Sequence, residues 1–313
     1  MALPVPLIGR LRLPVVAAPL FLVSGPDLVI AACRAGVLGT FPALNQRTTA
    51  GLGEWLGGIA TALTPADAPY GVNLIVHRTN ARLAADLEVV VAHQVPVVIT
   101  SLGAASEVVA AIHSYGGVVF HDVTTAAYAR KAADAGVDGL ILVAAGAGGH
   151  GGSLSPFALV AEVRRSFDGT ILLAGAISSG ADVLAARVMG ADLAYLGTRF
   201  LATTESLASD DYRQQVVTAG SADIVHTASV STIPANFLRR SLELAGLDPD
   251  TPGGPADLGH LTRPSQADVK AWRDIWSAGH GVAGINDVLP VAELVDQLVH
   301  EYEVARARIV AEG

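Results

Sequence analysis

The stretch Gly139-Leu140-Ile141-Leu142-Val143-Ala144-Ala145-Gly146-Ala147-Gly148-Gly149-His150-Gly151-Gly152 runs from an apolar segment straight into a glycine-dense loop that holds one imidazole. An apolar run of this length, bounded by glycines, reads as a strand buried on both faces. A helical pattern over Thr125–Ala135 precedes it and another over Pro156–Phe167 follows, so the stretch is the middle of a repeating strand–loop–helix unit. Working outward, the candidate strands are Pro14–Leu20, Val37–Ala43, Tyr70–Val76, Pro96–Ser101, Val118–Val123, Gly139–Ala145, Ile171–Ala176 and Leu193–Gly197. The other connecting helices fall at Pro26–Ala35, Leu52–Leu63, Ala81–Ala92, Ala105–Ser114 and Gly180–Met189. Eight such units joined by right-handed crossovers predict a (β/α)₈ barrel of the TIM type. An open doubly wound sheet is the alternative, but it lacks the early GxGxxG turn of its dinucleotide-binding version.

Helices that end in Ala-Gly, as at Ala35-Gly36 and Ala135-Gly136, and in the similar Met189-Gly190, fit glycine C-caps on the stabilising face of a barrel. After about Ser206 the texture changes. Asp210–Gly220, Pro234–Ala245 and Gln266–Ser277 read as helices, with the Pro/Gly-rich Asp248–Gly259 between the last two. Pro290–Val310 reads as a final amphipathic helix returning to the barrel wall. The expected organisation is therefore a barrel over 1–205 and 285–313, with a helical substrate or lid subdomain over 206–284 appended at its C-terminal mouth.

Hydrophobic residues make up 51% of the 313 residues and charged ones 16%, a balance that suits strands wrapped by helices. The net charge of −9 argues against nucleic acid or an anionic membrane surface as partner and favours a small molecule. Cys33 is the only cysteine, so no intrachain disulfide or thiolate cluster forms, and no His/Cys/Asp grouping has metal-ligand spacing. No apolar segment reaches the length of a membrane span and no basic leader precedes one, which points to a cytoplasmic protein. The apolar Val288–Val299 could pack on the barrel or on a second copy, leaving monomer and homodimer open.

In such a barrel the active site lies where the strands end. Strand three contributes Asn73 there, strand five His121 and Asp122, and strand six the loop with His150. Strands seven and eight lead into Gly175-Ala176-Ile177-Ser178-Ser179-Gly180 and Gly197-Thr198-Arg199-Phe200, a candidate phosphate cradle of backbone N–H groups. His150, flanked by glycines that let the backbone approach a ligand, suits a catalytic base. Neighbouring residues of a strand face opposite sides, so His121 and Asp122 cannot both enter the barrel unless the strand has ended; His121 receives no catalytic role. His226 and His280 are candidates to line the pocket.

Several of these segments, in this order, make the chain resemble the nitronate monooxygenase family, formerly grouped as 2-nitropropane dioxygenases. They are Pro14-Val15-Val16-Ala17-Ala18-Pro19, Ala35-Gly36-Val37-Leu38-Gly39, Gly71-Val72-Asn73-Leu74, Ala147-Gly148-Gly149-His150-Gly151-Gly152, Ala174-Gly175-Ala176-Ile177 and Leu196-Gly197-Thr198-Arg199-Phe200. Ile224-Val225-His226-Thr227, Pro234-Ala235-Asn236 and Ser277-Ala278-Gly279-His280-Gly281 look like the family's helical region and its return to the barrel. The resemblance implies FMN across the barrel mouth, its phosphate on Gly175, Ser178, Gly180, Gly197 and Thr198. It also implies Ala18, Pro19 and Asn73 beside the ring, Gly148 and Gly149 admitting the flavin to strand six, and His150 as the catalytic residue. The chain departs from many relatives at Asp122, where they carry lysine, and at His280, where they carry glutamine.

The implied activity is oxidation of alkyl nitronates, or nitroalkanes, by FMN and O₂ to a carbonyl compound and nitrite. An NAD(P)H-dependent quinone or enoyl-thioester reductase on the same barrel is the alternative enzyme. A non-catalytic flavin-binding protein is the alternative from another class.

Overall fold

A computed structural model describes residues 3–103, 106–230, 233–250 and 273–311. Eight parallel strands follow one another round a closed barrel: β1 (Val15–Ala17), β2 (Leu38–Pro42), β3 (Tyr70–Ile75), β4 (Val97–Ser101), β5 (Val118–Val123), β6 (Gly139–Val143), β7 (Thr170–Ala174) and β8 (Leu193–Leu196). Closure is made at β1, where Val16 lies opposite both Leu38 of β2 and Tyr195 of β8. The helices between them are α1 (Pro26–Ala35), α2 (Thr49–Ala62), α3 (Leu83–Ala92), α4 (Ser106–His113), α5 (Ala126–Asp134), α6 (Pro156–Arg164) and α7 (Gly180–Met189), and β8 runs into the short α8 (Thr198–Leu201). The (β/α)₈ architecture read from the sequence is the fold of the chain, and α1, α7 and β5 begin and end at the expected residues.

Two apolar layers hold the barrel, and the two-residue period of a strand separates them. Val16, Leu38, Val97, Ile99, Val118, Phe120, Ile141, Leu172 and Leu193 fill the interior together with Leu7 from an N-terminal 3₁₀ turn. The alternate residues, among them Val72, Val98, Val119, Leu140, Leu142 and Leu173, pack outward against the helices. Gly36 and Gly190 cap α1 and α7 in the left-handed region, at φ 91° and 109°, where a β-carbon is disfavoured.

The region after the barrel is not the all-helical unit expected. It contains α9 (Asp210–Thr218), then β9 (Ile224–Thr227) and β10 (Ala235–Leu238) as an antiparallel pair, and α10 (Arg239–Leu244). Pro234–Ala245 thus splits into strand and helix. Its first half, Ala235-Asn236-Phe237-Leu238, is too short an apolar run for its period to distinguish the two. Pairing with the β-branched Ile224, Val225 and Thr227 decides it. Most of Gln266–Ser277 and of Asp248–Gly259 lies outside the described residues; the described end, Arg273–Ser277, is turn and bridge, with Ser277 paired to Phe237.

Val23, Leu201 and Ala202 from the barrel loops share one core with Tyr212, Val216, Leu238, Ala278, Val282 and Ile285. The appended region is therefore packed onto the mouth through common side chains. The final helix, α11 (Val291–Ala311), returns to the wall and lies on α7 and α1. No helix among the described residues is long and apolar enough to cross a membrane.

Gly180 shows how close α7 and α11 come, because a β-carbon there would fall inside contact distance of the Leu298 carbonyl oxygen and the Tyr302 nitrogen. Both are backbone atoms of a helix and cannot step aside. Gly180→Ala should lower stability by about 1–3 kcal/mol, the usual range for overpacking, read as a fall in Tm. Exposed Gly58 in α2 has nothing within 4 Å of a β-carbon, so Gly58→Ala should instead stabilise by about 0.5–1 kcal/mol.

Candidate active site

Four inward residues at or next to the carboxyl ends of their strands are polar: Asn73, one inward step before Ile75, and Ser101, Asp122 and Tyr195, each the last inward residue of its strand. Asn73 Nδ2 donates to the Ile99 carbonyl at 3.3 Å and to Ser101 Oγ at 2.8 Å. Ser101 Oγ in turn donates to Asp122 Oδ2 at 2.6 Å. Burial raises the Asp122 carboxyl to about 6, against which the Ser101 hydrogen bond acts. Burial, and then the nearby Asp122 charge, push the Tyr195 phenol well above its usual range, so it stays neutral. Among the described residues, Asn73 Oδ1, Asp122 Oδ1 and the Tyr195 hydroxyl have no hydrogen-bond partner in the protein.

β5 continues past both residues of its His-Asp pair, and its alternation gives the two sides. Asp122 faces in, whereas His121 faces the helices and shares a 2.7 Å hydrogen bond with Thr100 Oγ1. Burial, and then the charge of Lys131, lower the His121 imidazole to about 4. His121 belongs to the wall and is held neutral.

The ends of β7 and β8 provide N–H groups, though not all those expected. Gly175 and Ala176 both have positive φ, at 134° and 55°. The next donors are already committed: Ser178 N and Ser179 N donate to Asp182 Oδ2 at 3.0 and 2.9 Å, and Gly180 N to Glu301 Oε2 at 2.7 Å. Gly180 is thus a packing and capping position for α11, and the phosphate contact expected through it is replaced by Glu301. Among the described residues the N–H groups of Ala176, Ile177 and Thr198 remain without a protein acceptor, as does the hydroxyl of buried Ser178. Thr198 Oγ1 accepts from Gly279 N at 2.9 Å. Ala18 N closes the seam to β8 by donating to the Leu196 carbonyl at 2.9 Å. Pro19 follows half-buried, and a β-carbon on Gly197 would lie 3.3 Å from Leu20 Cδ2.

The loop after β6 doubles back on itself, Ala145 N donating to the Leu154 carbonyl at 2.8 Å and Gly152 N to that of Val143 at 3.1 Å. Two neighbouring segments hold it. A β-carbon on Gly148 would stand 2.9 Å from Gly279 N, and His280 N donates to the Gly146 carbonyl at 2.9 Å. On the other side Asn236 of β10 donates from its backbone N to the Gly149 carbonyl at 2.9 Å and from Nδ2 to the Ala147 carbonyl at 2.6 Å. With Nδ2 so engaged, Asn236 Oδ1 is the acceptor toward His226 Nδ1 at 2.9 Å, so that ring nitrogen carries the proton. The close approach expected of a flavin at Gly148 is made there by the chain's own 278–279 backbone. His150 follows, half-buried, at the end of this clamped loop.

Of the residues singled out from sequence, the structure brings Asn73, Asp122, His150, Gly175, Ser178 and Thr198 to one end of the barrel and leaves His121 in its wall. Ser101 and Tyr195 were missed. A polar residue at the C-terminal end of an inward strand face was the available signal. Asn236 was quoted without a role, and nothing local to its own segment shows that it clamps a loop 89 positions away.

The sequence model of the nitronate monooxygenase family matches residues 78–301. The chain belongs to this family. A nitronate monooxygenase of Paraburkholderia phytofirmans is 28% identical over 95% of this chain and 93% of its own. The nitroalkane oxidase of Streptomyces ansochromogenes has the same fold, with a TM-score of 0.81, 27% identity, and coverage of 97% of this chain and 99% of its own. A Mycobacterium tuberculosis protein named (3aS,4S,5R,7aS)-5-hydroxy-7a-methyl-1-oxo-octahydro-1H-indene-4-carboxyl-CoA dehydrogenase is 31% identical over 73% of this chain. The chain spans only 64% of that relative's length. Within the family fold, the mouth described here has a carboxyl, an amide and a phenol beneath a histidine loop.

Two outcomes test this geometry. Asn236→Ala removes one side-chain hydrogen bond to the loop, so amide exchange at 147–150 should speed up by roughly 5–30-fold, equivalent to about 1–2 kcal/mol of local stability, with the barrel unchanged. The neighbours His121 and Asp122 oppose each other in acid. The stabilising contribution of Asp122 is complete below 3.8 and lost as pH rises through about 6. That of His121 is complete above 6.5 and lost as pH falls through about 4. Asp122→Asn should therefore lose more stability than wild type between pH 7 and 5, by about 1–3 kcal/mol in urea unfolding, and His121→Asn should gain.

Proposed function

We propose that this protein binds FMN across the barrel mouth and oxidises alkyl nitronates, and nitroalkanes, with O₂ to a carbonyl compound and nitrite. The observation that carries the reading is the glycine-clamped His150 loop set over a mouth whose inward polar atoms have no protein partner. Those atoms fit the group. Asn73 Oδ1, Asp122 Oδ1 and the Tyr195 hydroxyl suit the hydrogen-bonding edge of a flat heterocycle. The N–H groups of Ala176, Ile177 and Thr198, two of them in a turn with positive φ, suit a phosphate together with the Ser178 hydroxyl.

FMN, when bound, supplies the electron acceptor. The protein's own groups bind, orient and move a proton. Asn73 is fixed by two hydrogen bonds from its amide nitrogen, so its oxygen is preset toward the mouth. For a neutral nitroalkane, the His150 imidazole takes the proton α to the nitro group; for a preformed nitronate it orients and balances the anion. The clamp from Asn236 and the 278–280 segment fixes the backbone that leads into His150, which supports the positional requirement of general-base catalysis.

One observation favours a second reading, a flavin-dependent oxidoreductase acting on a CoA or other thioester: the 31%-identical relative carries a carboxyl-CoA dehydrogenase name. Rapid anaerobic bleaching of the flavin by NADH or NADPH would support a nicotinamide-driven reductase of that kind. Oxygen uptake with nitrite release on adding a short alkyl nitronate, without NAD(P)H, supports the monooxygenase. In the same assay His150→Ala or Asn should keep FMN and lose about 10²–10⁴-fold on a neutral nitroalkane, the usual span for a general base. Undiminished turnover would remove His150 from that role.

A further inference from the structure

The mouth carries a carboxyl to which the reaction above gives no proton to hold or move. Asp122 sits at the inward end of β5 with one carboxyl oxygen fixed by Ser101 at 2.6 Å, and Ser101 is fixed by Asn73 at 2.8 Å. Its other oxygen has no protein partner, and no ion pair among the described residues includes it. The mouth positions around it are Asn73 on β3, Ser101 on β4, Val143 on β6, Ala174 on β7 and Tyr195 on β8. Tyr195 is the titratable one and is neutral; His121 and Lys131 lie on the outer side of β5, and His150 is on the loop above. A carboxyl anchored by one neutral hydroxyl, in no ion pair among the described residues, faces the place assigned to the ring.

We propose that Asp122 is a positioning residue that couples a proton to the redox state of bound FMN: its carboxylate lowers the reduction potential at neutral pH and takes up a proton when the ring is reduced. This rests on the FMN reading. The balance is simple. Two electrons pass to the ring from the donor, a nitronate in turnover or a chemical reductant in vitro, and one proton passes to it from solvent. The Asp122 carboxylate takes a second proton from solvent, forming one O–H bond, and gives it back when the electrons leave. Negative charge gained by a neighbouring ring favours the neutral acid. Burial has already brought the carboxyl to about 6, so the added charge carries it across neutrality. Ser101 holds the carboxyl still through this change because its hydroxyl can donate to the carboxylate and accept from the acid.

The experiment is an equilibrium reductive titration of FMN-loaded wild type and Asp122→Asn against indicator dyes at pH 5 and pH 8. At pH 5 the carboxyl is protonated in both redox states, and the two potentials should coincide. At pH 8 the wild type should lie lower, by at least about tenfold in the reduction equilibrium, or about 30 mV for a two-electron couple. An offset of the same size at both pH values, or none at either, overturns the proposal. Ser101→Ala gives an independent measure if Asp122→Asn does not fold. Losing the donor to the carboxylate should move the break in potential against pH upward, and an unmoved break overturns the proposal. Protein that binds no flavin overturns the FMN reading and this inference with it; yellow protein with coincident potentials overturns this inference alone.

Discussion

A closed parallel barrel leaves each strand one inward position at its carboxyl end, and this constraint governs the mouth of the protein. Below that level inward side chains fill the interior, which here is done chiefly by Val, Leu, Ile and Phe with Leu7 as a plug. At that level a polar residue can have half of its groups satisfied by neighbouring strands and half turned outward. Asn73, Ser101 and Asp122 stand on consecutive strands, so the hydrogen bonds between them follow the barrel's circumference. The tilt and register that close the sheet are the same that bring an amide, a hydroxyl and a carboxyl within reach.

Above this layer the structure relies on backbone meeting backbone. The β6 loop, the β7 loop and the 278–284 segment approach one another at Gly148, Gly279 and Gly284, where β-carbons would press on main chain or on Ser178. Such contact leaves little room for adjustment, so the loops hold each other by hydrogen bonds across the seam, from His280 N, Gly279 N and Asn236. Tyr212 carries the restraint back to the appended region, stacking on Trp276 with ring centroids 4.9 Å apart and donating to the Ser277 carbonyl at 2.5 Å. Glycine richness near His150 therefore gives close packing rather than looseness.

The difference between local and distant determinants explains what could be read in the sequence. The barrel was legible because each βα unit carries its own signals: an apolar run, a cap, a helical period and a terminal glycine, as in Gly180–Met189 ended by Gly190. The β9–β10 pair was not, since four-residue apolar segments take their conformation from a partner strand. Gly180 resembled a phosphate-binding glycine because loop and helix start were both right, yet its N–H is taken by Glu301, 121 residues onward. The predicted strand Val118–Val123 already runs past the His-Asp pair, but which of the two faces inward is decided by the packing of the barrel. Asn73 was found through a motif, whereas Ser101 and Tyr195 acquire significance only from their neighbours across the barrel.

The signs of charge at the mouth then bear on the chemistry. On the proposed function, a nitronate anion and an electron-rich ring both come close to Asp122, and a fixed carboxylate there would repel both. Its position removes the conflict: poorly hydrated and held by a neutral hydroxyl, the carboxyl lies close enough to neutrality to take a proton when negative charge arrives. His150 lies on the loop above this layer. On that reading the carboxyl loses its charge as an anion arrives, and the mouth accepts one without an arginine or lysine in the inward layer. Arg199, buried on α8, is paired with Asp287 at 2.6 Å and ties α8 to the approach of α11. On this proposal electrostatic balance is carried by a proton that moves, which would make the hydrogen-bond chain Asn73–Ser101–Asp122 part of the site's function as well as of its shape.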